Sequence, residues 1–338
     1  MSRPPQYGPL QGGRRRRRGP KTLALLLALL APIGVGVAAY LTFVRDQRGS
    51  AAPVAVGGPA GNSALVSRTP KAPVPPAAPA VRLQGVDAFR LHFRQQPRAA
   101  LLFDVDTGDV LWRRQALRRL PVASLTKIMT AILVAERTKR RERVRIGPSA
   151  LKYQGSAQGS AVGLPRGRKV PVETLMHALL LASANDAAIA LAGHVAGSER
   201  RFVRSMNRRA RRLGLRCTRF ASSHGLQRGN RSCVADLAVL TRIAIKKKRI
   251  RRIARKRQSN LRFPVKGGRL SLYTTNPLLR SGFRGAIGLK TGYTNPAGRC
   301  LVAVARRRGR TLAAVLLNSP DPAKQAAKML EVGFRRSR

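Results

Sequence analysis

Acidic residues are scarce: 13 Asp and Glu stand against 67 Lys and Arg in 338 residues. The formal charge of +54 and a sequence pI of about 12 call for an anionic setting. Nucleic acid, anionic lipid and a phosphate- and carboxylate-rich cell wall all qualify, and charge alone does not choose among them. Cysteine is nearly missing, and three residues cannot build a disulfide-dense scaffold. Four histidines with so few carboxylates argue against a metal-built enzyme, so neither a metal nor a cofactor is expected. Aromatic residues make up only 4%, which is thin for a base-stacking platform. No helix-turn-helix, RNP or zinc pattern accompanies the charge, so nucleic acid is not an expected partner. No internal repeat points to a solenoid. What the chain does have is 43% apolar residues. That rules out disorder throughout and supports one large domain, or two small ones, with appendages.

The N-terminus narrows the setting. Residues 1–21 are polar and basic, with Arg14 to Arg18 in a row. Residues 22–44 then run 23 positions without a charge, and a helix needs about 20 such residues to cross a bilayer. Seven Lys and Arg precede the run and two follow within 20 residues, which places the tail in the cytoplasm and the rest outside. The expected localisation is a bacterial cell membrane, single-pass, with the folded part extracytoplasmic. A cleaved signal peptide is the competing reading, because Val37-Ala38-Ala39 resembles a cleavage site. Residues 45–86 are rich in Ala, Pro, Gly and Ser without periodicity and read as a linker. The folded domain is expected over 87–338.

Within it, Ala99–Asp104 reads as an apolar strand, Asp106-Thr107-Gly108 as a turn and Val110–Trp112 as a returning strand. Residues 123–138 have a helical apolar face of Leu125, Ile128, Met129, Ile132 and Leu133. Two more helices are expected over 172–182 and 186–196. Three strands are expected over 286–293, 299–306 and 311–318, and a closing helix over 321–334. Strands at both chain ends with helices between them predict an α/β (α+β) fold. One antiparallel sheet would be made from the two ends, with a helical lobe inserted.

Three short elements carry chemistry: Ser124-Leu125-Thr126-Lys127, Ser183-Ala184-Asn185 and Lys290-Thr291-Gly292. Each is weak alone; their order and their spacings of 59 and 107 residues make the set informative. Ser124 and Lys127 project from one helix face. A serine hydroxyl needs a base to become a nucleophile, and a lysine serves only when neutral. Burial and a second cation, such as Lys290, would lower its pKa. The bland reading is an N-cap serine and a surface lysine, but Ala123 and the apolar residues that follow argue for a buried helix start. The bland reading makes Ser183 or Asp186 a mere helix cap; three polar residues at one helix junction exceed what a cap needs. Lys290 interrupts an apolar strand, which is costly without a purpose. Gly292 beside it lets a bound backbone come close. The bland alternative is an edge strand guarded by a lysine.

This trio occurs in penicillin-binding proteins and class A β-lactamases. The sequence resembles the D-alanyl-D-alanine carboxypeptidases, the low-molecular-weight penicillin-binding proteins, over about 87–336. The resemblance includes PVASLTKIMTAILVAE (121–136), LLLASANDAAIALA (179–192), FASSHGL (220–226), ADLAVL (235–240) and GLKTGYTNPAG (288–298). It implies a β-lactamase/transpeptidase-like domain that acts on peptidoglycan stem peptides and is inhibited by β-lactam antibiotics. Ser124 would attack the terminal D-Ala-D-Ala amide, with Lys127 as general base. Ser183 would pass protons and Asn185 would orient the substrate. Lys290 and Thr291 would hold its C-terminal carboxylate. The amides of Ser124 and Tyr293 would form the oxyanion hole. The chain stops about 45 residues after Lys290. The family's small β-rich domain and C-terminal anchor are therefore expected to be absent, with the N-terminal segment in the anchor's place. A β-lactamase would need a carboxylate for deacylation, yet residues 200–235 contain none. The carboxylates between the second and third motifs are Asp186, Glu199 and Asp236, which favours a penicillin-inhibited peptidase. A non-catalytic basic binding protein is the remaining rival.

Cys217 and Cys233 lie 16 apart around Ser222-Ser223-His224-Gly225. Outside the membrane they either form a disulfide, gaining about 3 kcal/mol in the chain-entropy picture, or remain two thiols. Cys300 reads as a buried small hydrophobe. His224 reads as a loop residue rather than a triad member, since no G-x-S-x-G is present. KKKRIRRIARKR (246–257) holds nine cations in twelve residues. It is either a solvated helix face or a dock for anionic wall polymers or lipid headgroups.

Overall fold

All six residues of Ala99–Asp104 are buried, as a strand covered on both faces must be. This strand, β1, sits near the middle of the sheet. The structure is a computed structural model that describes residues 80–154, 160–265 and 268–336. In chain order β1 is followed by β2 (Val110–Arg114), the short β3 (Leu120–Pro121), a 3₁₀ turn (Ala123–Thr126) and α1 (Lys127–Arg137). Next come β4 (Arg143–Arg145), β5 (Lys169–Pro171), α2 (Val172–Leu180), α3 (Asn185–Ala196), α4 (Glu199–Arg212) and β6 (Arg231–Ser232). The chain continues through α5 (Val234–Lys246), α6 (Lys248–Ala254), β7 (Gln258–Arg262), β8 (Arg269–Tyr273) and α7 (Pro277–Arg280). It closes with β9 (Ala286–Thr294), β10 (Gly298–Arg307), β11 (Arg310–Leu317) and α8 (Pro322–Arg336).

The main sheet has the order β2-β1-β11-β10-β9, and every pairing in it is antiparallel. Ala99 faces Leu317 and Asp104 faces Leu312, so the two chain ends do meet in one sheet, as the sequence predicted. Alternate residues serve opposite faces. Leu101, Phe103, Val302, Val304, Val315 and Leu317 pack toward the inserted helices. Leu102, Leu301, Ala303, Ala314 and Leu316 pack against Met329 and Leu330 of α8, and against Phe89, Leu91 and Trp112.

Four helices, α4 to α7, and the β7–β8 hairpin exceed the expectation. In α4, Phe202, Met206 and Ala210 recur every four residues and are buried, while Ser198 caps the start by accepting from the Arg201 amide. The basic stretch 246–257 is not one solvated face. It breaks at Lys247 between α5 and α6, and Ile250 and Ile253 are fully buried. Arg249 and Arg252 both reach Glu173, and Lys247 reaches Glu136. Contact with the folded body begins inside the expected linker: Val81 and Leu83 pack on the core, and Arg242 donates to the Ala80 carbonyl. No helix among the described residues is long and apolar enough to cross a membrane. The expected 1–21 tail and 22–44 segment lie outside those residues.

Candidate active site

Ser124 stands in the 3₁₀ turn that leads into α1, and Lys127 is the first residue of that helix. The backbone is forced at this point: Ala123, just before the serine, has φ 46°, a left-handed conformation that costs a non-glycine residue about 1–2 kcal/mol. Two glycines hold it there. Gly225 has φ +100°, and a Cβ on it would collide with the Ala123 carbonyl. A Cβ on Gly292 of β9 would lie 3.1 Å from the Ser124 amide nitrogen and 3.1 Å from the Val122 carbonyl. The serine turn is thus clamped between the 222–226 loop and strand β9.

Lys127 is completely buried. Its Nζ lies 2.7 Å from Asn185 Oδ1, 2.6 Å from the His224 carbonyl and 2.9 Å from Ser124 Oγ. Burial pushes the amine's pKa well below its ordinary 10.5, and Lys290 adds to this by repulsion while Asp186 opposes it. A neutral amine has two N–H bonds and one lone pair. The amide and carbonyl oxygens can only accept, so they take both N–H bonds. Loss of the third proton, which the lowered pKa eases, would leave a lone pair for the Ser124 hydroxyl, toward which Nζ now donates at 2.9 Å. The arrangement sets an amine of lowered basicity against the serine hydroxyl.

The other two elements close the cleft. Asn185 opens α3 and is buried, and its amide donates to the Ser160 carbonyl at 2.7 Å. Ser183, two residues earlier, has φ 61°. Such a conformation persists only where the surroundings impose it. Lys290 is 1% exposed in β9 and donates to the Thr291 carbonyl at 2.9 Å; burial lowers its pKa to about 7. Thr291 and Thr275 share a hydroxyl–hydroxyl contact of 2.6 Å. Ser124, Ser183, Asn185, Thr291, Gly292 and Tyr293 all line one cleft of about 970 Å³. Lys127 and Lys290 lie beneath its wall. The structure therefore gathers every site residue the sequence singled out.

Sequence reasoning missed several contributors. Ser160, Thr275, Arg228 and Arg299 also line the cleft. His224 contributes its backbone carbonyl, which no residue-type argument reveals. Its ring stays neutral, with its pKa lowered to about 3 by burial and by repulsion from Lys127 and Lys152. Glu199 fixes this loop by accepting from the Ser223 amide and hydroxyl at 2.9 and 2.6 Å. Cys217 and Cys233 are joined as a disulfide that brackets the same loop, and Cys300 is free and buried. Asp186 accepts from the amides of Val162, Leu164 and Ala187. Asp236 accepts from the Cys217 amide and the Thr218 hydroxyl. All three carboxylates between the second and third motifs thus fasten backbone.

A clamped serine beside a completely buried lysine stands in an α/β fold whose helical lobe is set on an antiparallel sheet. The family model for D-alanyl-D-alanine carboxypeptidase, peptidase S11, matches residues 92–321. A D-alanyl-D-alanine carboxypeptidase of Bacillus subtilis is 33% identical over 248 residues, covering 71% of this chain and 62% of the relative. A Streptomyces D-alanyl-D-alanine carboxypeptidase is 33% identical over 68% of this chain and 84% of its own. Among solved structures, a D-alanyl-D-alanine carboxypeptidase from Mycobacterium tuberculosis aligns with a TM-score of 0.68 at 29% identity. That alignment covers 75% of this chain and 96% of the other. A Streptomyces DD-transpeptidase aligns at 0.66 and 31%, over 71% and 97%. The chain belongs to the D-alanyl-D-alanine carboxypeptidase family. It spans about three fifths of the length of the Bacillus relative.

Proposed function

We propose that this protein is a serine-type D-alanyl-D-alanine carboxypeptidase that removes the terminal D-Ala from peptidoglycan stem peptides and is acylated by β-lactam antibiotics. The observation that carries the reading is the Lys127 amine. Its Nζ lies within hydrogen-bond distance of Asn185 Oδ1, the His224 carbonyl and Ser124 Oγ, so once neutral it keeps its two N–H bonds on the first two and turns its lone pair to the serine. Ser124 Oγ attacks the penultimate D-Ala carbonyl while its proton passes to Lys127. The amides of Ser124 and Tyr293 receive the oxyanion. Collapse expels D-Ala, whose amine takes the proton back, with Ser183 on that path. Water then hydrolyses the acyl ester. Thr291, with Thr275, receives the substrate's terminal carboxylate, and Lys290 adds positive charge from below. Asn185 orients both the base and the substrate amide. A β-lactamase reading is disfavoured because Asp186, Glu199 and Asp236 are all committed to backbone.

The 22–44 segment serves in this reading as a single-pass anchor that leaves residues 87–338 outside the cell; its support is the seven-to-two charge asymmetry around it. The decisive experiment is covalent capture. Benzylpenicillin should add its mass to the Ser124 peptide. Ser124→Ala should abolish the adduct, and Lys127→Arg should also prevent it, because a guanidinium cannot act as the base. An adduct on another residue would overturn the assignment.

A further inference from the structure

The cleft is more cationic at its rim than one terminal carboxylate requires. Its lining includes no Asp or Glu, but it includes Arg228 and Arg299, both exposed. Neither arginine forms an ion pair among the described residues, even though Arg307, Arg310 and Arg249 each find a carboxylate. Arg299 is held in place: its Nη1 donates to the Pro320 carbonyl at 3.0 Å, which leaves its remaining N–H groups for another acceptor. Arg228 comes from the segment before β6 and Arg299 from β10, so two separate elements bring an arginine to one cleft.

Strand register says which part of a substrate Arg299 meets. Arg299 pairs with Tyr293, two residues beyond Thr291. At about 3.3 Å per strand residue that is roughly 7 Å along β9. A terminal carboxylate at Thr291 and a scissile carbonyl at the Ser124 and Tyr293 amides fix the substrate's direction. Its upstream chain must run on toward Thr294 and Asn295. The residue before the two D-alanines then arrives level with Arg299.

We propose that Arg228 and Arg299 form a second anion subsite, which takes a free carboxylate on the side chain of the residue preceding D-Ala-D-Ala. The inference rests on the carboxypeptidase reading above and names its substrate class: stem peptides that carry an unamidated acid at that position. The subsite is open to solvent, so its effect is a selectivity of roughly tenfold at low salt that weakens as salt screens it.

The test compares N-acetyl-L-α-aminoadipoyl-D-Ala-D-Ala with its side-chain amide, using the full chain and reading kcat/KM for D-Ala release. Active enzyme in each preparation is counted by its benzylpenicillin adduct. The acid should be preferred about tenfold. R228Q and R299Q should each cut the acid-to-amide ratio at least twofold, and the double variant should bring it near one. Equal rates for acid and amide in the unaltered protein would refute the subsite alone. So would variants that slow both peptides in proportion. A third refuting result is R299Q erasing discrimination between a C-terminal acid and its amide, because that would place Arg299 on the terminal carboxylate. No turnover of either peptide would bring down the carboxypeptidase reading, and the subsite with it.

Discussion

Replacing Lys290 by methionine should make the protein more stable at neutral pH, even as it weakens the hold on a terminal carboxylate. The side chain is 1% exposed, and its described hydrogen bond goes to the Thr291 carbonyl. Burial lowers the amine's pKa from 10.5 to about 7. The unfolded chain therefore holds a proton that the folded chain releases between those two values. Stability attributable to this group rises with pH through that window, by about 1.4 kcal/mol per pH unit, and the penalty is complete below it. At pH 7 the penalty is on the order of 4 kcal/mol. Methionine has a similar length and no charge, but it leaves a carbonyl unpaired at a cost of about 1 kcal/mol. The net gain is about 2–3 kcal/mol, or roughly 5–10 °C in Tm for a domain of this size. Trp112, the single tryptophan, is 7% exposed on β2 and reports unfolding in urea without a label. At pH 10 the gap between variant and parent should close to within about 1 kcal/mol. A variant less stable than its parent at pH 7, or a gap that does not change between pH 7 and 10, would refute the reasoning.

The two lysines should shape opposite limbs of the pH profile. Activity should rise with pH as Lys127 becomes neutral, well below 10.5, and fall above about 7 as Lys290 loses its charge. A substrate amidated at its C-terminus should lack the falling limb, and Lys290→Arg should move that limb out of range; kcat/KM across pH 5–10 checks both. Gly225→Ala should cost about 1–3 kcal/mol from its φ of +100° alone. Because its Cβ drives into the Ala123 carbonyl beside the nucleophile, the acylation rate by benzylpenicillin should fall at least tenfold. Acylation at the parent rate would show that the clamp does not position Ser124.

Much of this was legible in the sequence for a physical reason. β1 and the last three strands are apolar runs bounded by turns, and their two-sided burial leaves no ambiguity of face. The candidate set lining the cleft was legible because a base, a nucleophile and an amide are residue types with few substitutes. The parts that stayed hidden act through backbone or geometry. The His224 carbonyl on Lys127 could come from any residue, and Thr275 meets Thr291 only because β8 and α7 deliver it there. α4 was overlooked although Phe202, Met206 and Ala210 recur at a helical period, because its arginines mask that stripe. The 246–257 run misled in the opposite sense: its two isoleucines look incidental among nine cations, yet they anchor α6.

The position of β9 at the end of the sheet has a further consequence. An outer strand bears a row of backbone donors and acceptors that another chain can extend, and proteins usually blunt such a row with charge, a bulge or a cover. Here the serine turn shields the stretch at Gly292, while the lining from Thr291 to Asn295 stays open. A guest that adds itself to this border as one more strand is read through its main chain before any side chain is tested. It must arrive straight and narrow, with its end lying where the row meets Thr291. Folded polypeptides, helices and internal loops are thereby turned away by shape alone. Under the proposed function, the activated serine is thereby kept from the folded proteins around it.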